Sequence, residues 1–278
     1  MPLLSQTIHL LIELYKHVQH SAFLYILSIC IDIYGATQHM INQQLNHIII
    51  YEISIITLKL LNNSTEMYIQ HSDIVEDYYE LCNRILIRCN HVLLNNNNNN
   101  NILLLDNIIQ SSLYGISLQQ HDSFAALMTF YQQLFTLATT KSRYNLYKPV
   151  KQISNHIIQI VYNILITYGQ DMINQFIYNI IYNYTSYRTQ YIVSTLWSML
   201  EFNTEQLHII LYNTFKQYQY NNINNDIIIQ QIINAENIRI LRNVIEEWSK
   251  QVRPLIHITQ QQQQLHNNNN NNNNITND

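Results

Sequence analysis

Turn-forming and charged residues are scarce in this chain. The 278 residues include only 3 Gly and 3 Pro, and charged side chains make up 12% of the total. A β-sandwich or an α/β domain of this length needs more glycine at its turns, so the scarcity favours long helices with short connections. Ile, Tyr and Asn are weak helix formers, but burial of an apolar face usually outweighs weak propensity. We therefore expect an all-α fold.

Charge and the length of the apolar runs argue against nucleic-acid binding and against a membrane span. Lys and Arg number 14 against 18 Asp and Glu, which gives a net charge of -4 and a pI near 6.3. Nucleic-acid-binding domains usually carry a basic stripe and a pI above about 9, so we expect no direct nucleic-acid binding. A mildly acidic surface suits a basic protein partner instead. The most apolar window, residues 48–61, contains Glu52 and Lys59 and is too short for a membrane span, so we expect no membrane insertion.

Catalytic and metal-binding patterns are also missing. Cys30, Cys82 and Cys89 occur without a signal peptide, which favours a reducing compartment. Cys82, Cys89 and His91 could suggest a metal site. The two cysteines are seven residues apart, however, which is further than the spacing usual in zinc sites. We therefore interpret Cys82 and Cys89 as buried structural thiols. The chain has no G-x-S-x-G, P-loop or H-E-x-x-H motif. We expect no enzyme activity, no catalytic residue, no cofactor and no metal.

Apolar residues recur at intervals of three and four over eleven stretches, the spacing of one helix face. The predicted helices are residues 3–16, 20–34, 40–61, 73–89, 102–117, 122–140, 148–168, 170–184, 187–201, 204–218 and 235–252. Two successive helices occupy about 40 residues, the length of HEAT and armadillo repeats. We predict one HEAT-like α-solenoid domain over residues 1–253, a right-handed superhelix of antiparallel helix pairs.

Tracts of Asn and Gln interrupt or follow this pattern. An Asn tract at residues 95–101 predicts a loop within the solenoid, and further tracts lie in the tail at residues 254–278. Such sequences cannot bury apolar surface, so we expect disorder. We interpret the tracts as functionally silent, with self-association as the alternative.

The helix predicted at residues 73–89 carries the candidate binding residues. Its carboxylates lie near the helix N-terminus, where the helix dipole favours them, so a solvated face is the simpler interpretation. The alternative is an acidic patch on a concave surface that binds an arginine-rich protein. Arg84 and Arg88 follow and could contact phosphate, although pairing of Arg84 with Glu80 is a plainer role. The candidate residues are Asp73, Glu76, Asp77, Glu80, Arg84 and Arg88.

A specific motif occupies the second predicted helix. It reads His20-Ser21-Ala22-Phe23-Leu24-Tyr25, then Ser28, then Ile31 before Asp32-Ile33-Tyr34-Gly35. Gly35 is expected to end the helix, as glycine does just past a helix end. The block resembles a helix in the C-terminal arch of the transportin-SR family, which are importin-β-type import receptors for serine/arginine-rich splicing factors. Weaker blocks at residues 72–92, 122–130, 194–199 and 234–253 follow in the order of that family.

The resemblance implies the cargo-side arch of a nuclear import receptor that shuttles between cytoplasm and nucleus. Its cargo would be a serine/arginine-rich protein. The family's Ran-binding arch and its arginine-rich, phosphoserine-binding helix have no counterpart in this sequence, so we expect that Ran-GTP does not release cargo from this chain. The alternative function is a HEAT-repeat scaffold or truncated paralogue without transport activity.

The first helix predicts an exposed apolar surface. Solenoid ends usually carry polar caps, yet Leu4, Ile8, Leu11 and Ile12 open the chain on an apolar stripe. We therefore expect an apolar patch at this end and self-association of the isolated chain.

Overall fold

The chain is almost entirely helical where its structure is described. A computed structural model describes residues 2–36, 40–94, 99–140, 153–183, 185–217 and 224–254. In the helices that begin at residues 40 and 99, the side chains are described from residues 48 and 103 onward. No strand occurs in these ranges. The helices are α1 (Pro2–His17), α2 (Ser21–Tyr34), α3 (Met40–Leu61), α4 (Thr65–Gln70), α5 (Ser72–Arg88), α6 (Asn99–Ser112), α7 (His121–Ala138), α8 (Asn155–Tyr182), α9 (Ser186–Phe202), α10 (Thr204–Gln217), α11 (Asn225–Ile233) and α12 (238–254).

These helices form two layers. Helices α2, α5, α7 and α9 pack side by side in one layer, which we call the α5 layer. Helices α1, α3, α6, α8 and α10 follow one another in the second layer, called the α8 layer. A stack in which each helix pair contacts only its neighbours is an α-solenoid. The prediction of an all-α solenoid is confirmed, and the right-handed sense of its superhelix stays a prediction.

The helices of the α5 layer run parallel. The hydroxyl of Ser123 in the first turn of α7 donates to the Ser72 carbonyl oxygen at the start of α5, at 2.7 Å. The hydroxyl of Thr195 in α9 donates to the Met128 carbonyl oxygen of α7 at 3.2 Å. Because neighbouring helices share one direction, their N-terminal turns lie along the same edge of the layer.

Buried tyrosines reach polar partners on neighbouring helices. The hydroxyl of Tyr78 in α5 donates to Ser54 Oγ of α3 at 2.8 Å. Tyr15 of α1 shares a hydrogen bond of 2.9 Å with Thr57 of α3. Burial raises the pKa of Tyr15 to about 12, because the charged phenolate is poorly solvated inside the protein. Because these hydroxyl groups are hydrogen-bonded, the tyrosine rings can be buried in the core.

One predicted helix boundary is wrong. The sequence predicts separate helices before and after Gly169, but α8 continues unbroken from Asn155 to Tyr182. A Cβ atom at Gly169 would stand 2.7 Å from Ile210 Cδ1 of α10. Glycine therefore permits close approach of α8 and α10 rather than a turn. The first residues of the helix predicted at 148–168 lie outside the described ranges up to residue 152.

Gly35 ends α2, as the sequence predicts. Its φ of -61° and ψ of -34° are right-handed. A Cβ atom here would clash with the Ile31 carbonyl oxygen and stand 3.0 Å from Arg88 Cβ. The absence of a side chain lets the end of α2 approach the end of α5.

The Asn tract overlaps a helix. Helix α6 begins at Asn99, so the last three residues of the loop predicted at 95–101 are helical. Residues 95–98 and the tail from residue 255 lie outside the described ranges. The expected disorder there stays a prediction.

The apolar stripe that opens the chain faces inward. Ile8, Leu11 and Ile12 are buried, and Leu4 packs partly against the same core. The apolar surface of the first helix pair comes from other residues. Its exposed side chains are Leu3, Leu10 and Leu14 on α1, Val18 just after it, and Tyr25, Ile26 and Ile33 on α2.

Candidate functional site

The candidate binding residues lie together on the exposed side of α5. The opposite side of the helix is buried through residues such as Ile74, Val75 and Tyr78. Asp73 and Arg88 are exposed, and the four others are half-buried. Helix α5 lies between α2 and α7. We use the name α5 face for the exposed side of α5 together with the facing ends of α2, α7 and α9.

The N-terminal half of α5 forms an acidic end of this face. Glu76 and Asp77 lie beside Asp73 and Glu80, and the parallel layer adds Asp122 from the first turn of α7. Burial, followed by the charge of Asp122, raises the pKa of Glu76 above its ordinary value. Sequence reasoning missed Asp122 as part of the site. The sequence shows that Asp122 lies in the first turn of its helix. It does not show that this helix runs parallel to α5, which is what brings Asp122 to the acidic end.

Asp77 has the most perturbed carboxyl group of the cluster. Burial, and then the neighbouring charges of Glu76, Asp73 and Glu80, raise its pKa to about 6. A hydrogen bond with Ser21 of α2 acts in the opposite direction. Asp77 is therefore ionised at neutral pH but takes up a proton in mildly acidic solution.

The C-terminal half of α5 forms a basic end. Arg84 Nη1 lies 3.2 Å from Asp32 Oδ2, and Arg88 Nη2 lies 2.8 Å from Asp32 Oδ1. Arg88 Nε also donates to Asp32 Oδ1 at 2.8 Å. The predicted pairing of Arg84 with Glu80 is wrong, because Asp32 of α2 lies between the two guanidinium groups instead.

These contacts explain the motif at residues 20–35. His20 caps α2, since its Nδ1 accepts a hydrogen bond from the Ala22 amide at 3.2 Å. Ser21 bonds to Asp77, and Asp32 holds both arginines. Ser21 and Asp32 of the motif therefore join α2 to α5.

Aromatic rings extend the α5 face towards α9. His121, in the first turn of α7, lies 4.6 Å from the ring of Tyr187 in α9, measured between ring centroids. Tyr191 lies 6.2 Å from the same histidine. The hydroxyl of Tyr187 donates to the Gln119 carbonyl oxygen at 3.1 Å. Half-buried aromatic rings beside a carboxylate are a setting that suits a guanidinium group.

Arg188 lies behind these rings and is buried. Arg188 is only 3% exposed, and its Nη1 donates to Asn179 Oδ1 at 2.6 Å. Its guanidinium carbon stands 4.7 Å from the centre of the Phe124 ring. Arg188 therefore joins α7, α8 and α9 and is not available to a ligand.

The cysteine thiols do not form part of the α5 face. Cys82 and Cys89 are free and buried, and burial raises the pKa of each to about 12. Among the residues that the structure describes, no group of three or more His, Cys, Asp or Glu side chains could hold a metal ion. No helix in the described ranges is long and apolar enough to span a bilayer.

Similarity to a known family begins at the first residue. Residues 1–55 match the Transportin-3/Importin-13 fourth TPR domain. The matched range contains α1, α2, most of α3 and the whole motif at residues 20–35. This similarity supports a region of an importin-β-type transport receptor, a class that is not enzymatic. No curated protein matches the chain. The resemblance of the later sequence blocks stays a prediction.

Proposed function

We propose that this chain is the cargo-binding region of a nuclear transport receptor of the importin-β type. The similarity of residues 1–55 carries the proposal, and the helix-pair stack through the remaining described residues supports it. The protein would bind a protein cargo without chemistry and would shuttle between cytoplasm and nucleus.

The packing of the two layers supports the α5 face as the concave surface. Neighbouring helices contact each other more extensively in the α5 layer than in most of the α8 layer. In a curved stack, helices on the inside lie closer together than those on the outside. A concave surface encloses a partner better than a convex one, and solenoids bind partners there.

The charge of the acidic end supports a basic cargo. Among the described residues, no lysine or arginine forms an ion pair with Asp73, Glu76, Asp77 or Glu80. Their charges are therefore free to attract a positively charged partner. The nearby rings of Tyr187 and Tyr191 favour arginine over lysine, because guanidinium groups stack on aromatic faces. A serine/arginine-rich segment combines these features.

Fluorescence anisotropy of a labelled, unphosphorylated serine/arginine-rich peptide tests this proposal. We expect saturable binding that weakens about tenfold when Asp73→Asn, Glu76→Gln and Glu80→Gln are combined, and that weakens further with salt. Glu205→Gln is the matched control, because Glu205 is an exposed carboxylate on α10 in the other layer. Absence of binding, or equal loss in the control, would contradict the proposal.

A helical scaffold without transport activity is the second candidate. It is consistent with the same fold and the same acidic surface. Permeabilised cells given the labelled peptide with and without the chain separate the two functions. Nuclear accumulation that depends on the chain supports a receptor, whereas binding without accumulation favours the scaffold.

A further inference from the structure

We propose that a groove between α1, α3 and α4 binds a long-chain fatty acid, with Lys59 contacting the carboxylate. The groove lies on α1 and α3 of the α8 layer and not on the α5 face. The inference is therefore independent of the proposed function. It assigns a ligand class to a surface for which cargo binding has no use.

The turn after α3 shapes one end of the groove. Asn62 and Asn63 have φ of 46° and 47°, the left-handed conformation that asparagine adopts more readily than most residues. The Asn62 amide donates to the Leu58 carbonyl oxygen at 3.0 Å, and the chain then enters α4, which brings Met67 to the groove. At six residues against 22, α4 is too short to cover the length of α3, so the groove stays open beside it.

The floor of the groove is aliphatic. It is formed by Ile55 and Ile56 of α3, Leu60 one turn later, and Met67 of α4. Ile55 is 48% exposed and the other three are half-buried, so part of this apolar surface meets water. The groove encloses about 690 Å³, within the range of about 300–1,000 Å³ typical of small-ligand sites. Covering the floor with an apolar ligand is therefore favourable.

The rim carries one positive charge without a counterion. Lys16 Nζ lies 2.8 Å from Glu13 Oε1 and 3.3 Å from Glu52 Oε2, so two carboxylates hold it. Lys59 lines the same groove, is exposed, and forms no ion pair within the described part of the chain. The C-terminus of α3 carries about half a negative charge, which the full charge of Lys59 outweighs. An anionic group is therefore attracted to Lys59.

The charges also set the direction of the ligand. Glu52 and Lys59 are seven residues apart, about 10 Å along α3, and Ile55 and Ile56 lie between them. Glu52 repels a carboxylate, whereas Lys59 attracts one. A molecule with one carboxylate and one aliphatic chain places its acid group at Lys59 and its chain over the two isoleucines.

Hydrogen-bonding groups are scarce along the floor, which favours an acyl chain over a peptide. A bound peptide needs partners for its backbone N–H and C=O groups. The amide of Gln19, which lines the groove, already donates to the carbonyl oxygens of Tyr15 and Lys16. An acyl chain has no polar group along its length and needs only the contact at Lys59.

Calorimetric titration of the full chain with decanoate tests the proposal, with decylamine as a ligand of equal length and opposite charge. We expect one saturable site and about tenfold tighter binding of decanoate than of decylamine. A fully buried methylene increases affinity about fourfold, so a half-open groove should give about twofold. Octanoate should therefore bind about fourfold more weakly than decanoate, and dodecanoate about fourfold more tightly.

Two variants localise the binding. Lys59→Gln should weaken decanoate binding about threefold and remove the preference over decylamine. Ile55→Glu places a carboxylate on the floor and should weaken decanoate binding at least about tenfold. The matched controls are Arg239→Gln, an exposed cation on α12, and Ile166→Glu on α8, where Ile166 is 49% exposed. Neither control should alter the affinity, and circular dichroism melting shows that each variant folds.

Each outcome decides the inference. Absence of saturable decanoate binding, or equal affinity for decanoate and decylamine, would overturn it. Equal losses in the control variants would show adsorption elsewhere on the chain and would also overturn it. Binding of a peptide of Leu and Glu residues that Ile55→Glu abolishes, without binding of decanoate, would assign the groove to a protein partner instead. The cargo-binding test is unaffected by any of these results, because it reports on the α5 face.

Discussion

Asp77 shows how a neighbouring helix changes the chemistry of one carboxyl group. Its pKa of about 6 lies above the ordinary 3.8 because of burial and three nearby carboxylates. Between these two values the folded protein binds a proton that the unfolded chain does not. The free energy of unfolding contributed by Asp77 is therefore greatest at low pH and falls as pH rises through this window.

Asp77→Asn should remove this pH dependence. Because Asp77 is only half-buried, we expect a gain of at most about 1 kcal/mol in the free energy of unfolding at pH 7.5. The gain should shrink at pH 4.5, where the wild-type carboxyl is protonated. Urea unfolding followed by circular dichroism at both pH values measures this. A gain that is equal at the two pH values would contradict the assigned cause.

Gly35→Ala tests the close approach of α2 and α5. The added methyl group would press against the Ile31 carbonyl oxygen and Arg88 Cβ, so α2 must move away from α5. We expect a loss of about 1–3 kcal/mol in the free energy of unfolding, typical of overpacking. Ala36→Ser, at the next and exposed position, is the control. A stabilising effect of Gly35→Ala would refute the steric role.

At the scale of elements, Asn179 joins α8 to α9 and to the segment between α6 and α7. Its Nδ2 donates to the Ile116 carbonyl oxygen at 3.1 Å, and its Oδ1 accepts from buried Arg188. Asn179→Ala leaves two buried polar groups unpaired, and we expect a loss of about 2–3 kcal/mol in stability. Asn163→Ala, at an exposed site of α8, should cost far less. Thermal melting compares the two, and equal losses would show that the network contributes little.

Most helices could be predicted because each needs an apolar face at a fixed period. The limits of α3 follow from the sequence without error. Helices α4 and α11 were missed, since six and nine residues hold too few periods to detect. The break at Gly169 was wrong because the reason for glycine lies on α10, which no local pattern in α8 can show.

The candidate site was predicted only as far as one helix allows. The spacing of its residues within α5 correctly places them on one exposed face. Their partners come from other helices: Asp32 is 56 residues from Arg88, and Asp122 belongs to α7. These contacts depend on the order and direction of the stacked helices. No residue pattern within residues 73–89 contains that information.

At the scale of the whole molecule, the first helix pair exposes apolar side chains. Leu10 is 59% exposed and Ile33 is 61% exposed. We expect the isolated chain to associate with itself as concentration rises, and Leu10→Gln with Ile33→Gln to reduce this association. Ile240→Gln, on α12, is the matched control. Light scattering over a concentration series measures the effect, and a wild-type monomer at every concentration would contradict it.

The unequal packing of the two layers has a mechanical consequence. The helices of the α5 layer are already in close contact, and packed side chains resist compression. Bending that narrows the proposed concave surface must compress the helices of the α5 layer, whereas bending that widens this surface moves the helices of the looser α8 layer together. The molecule should therefore be stiffer to closing than to opening. A bulky partner can be accommodated by elastic widening, while a slender one must fit the resting curvature.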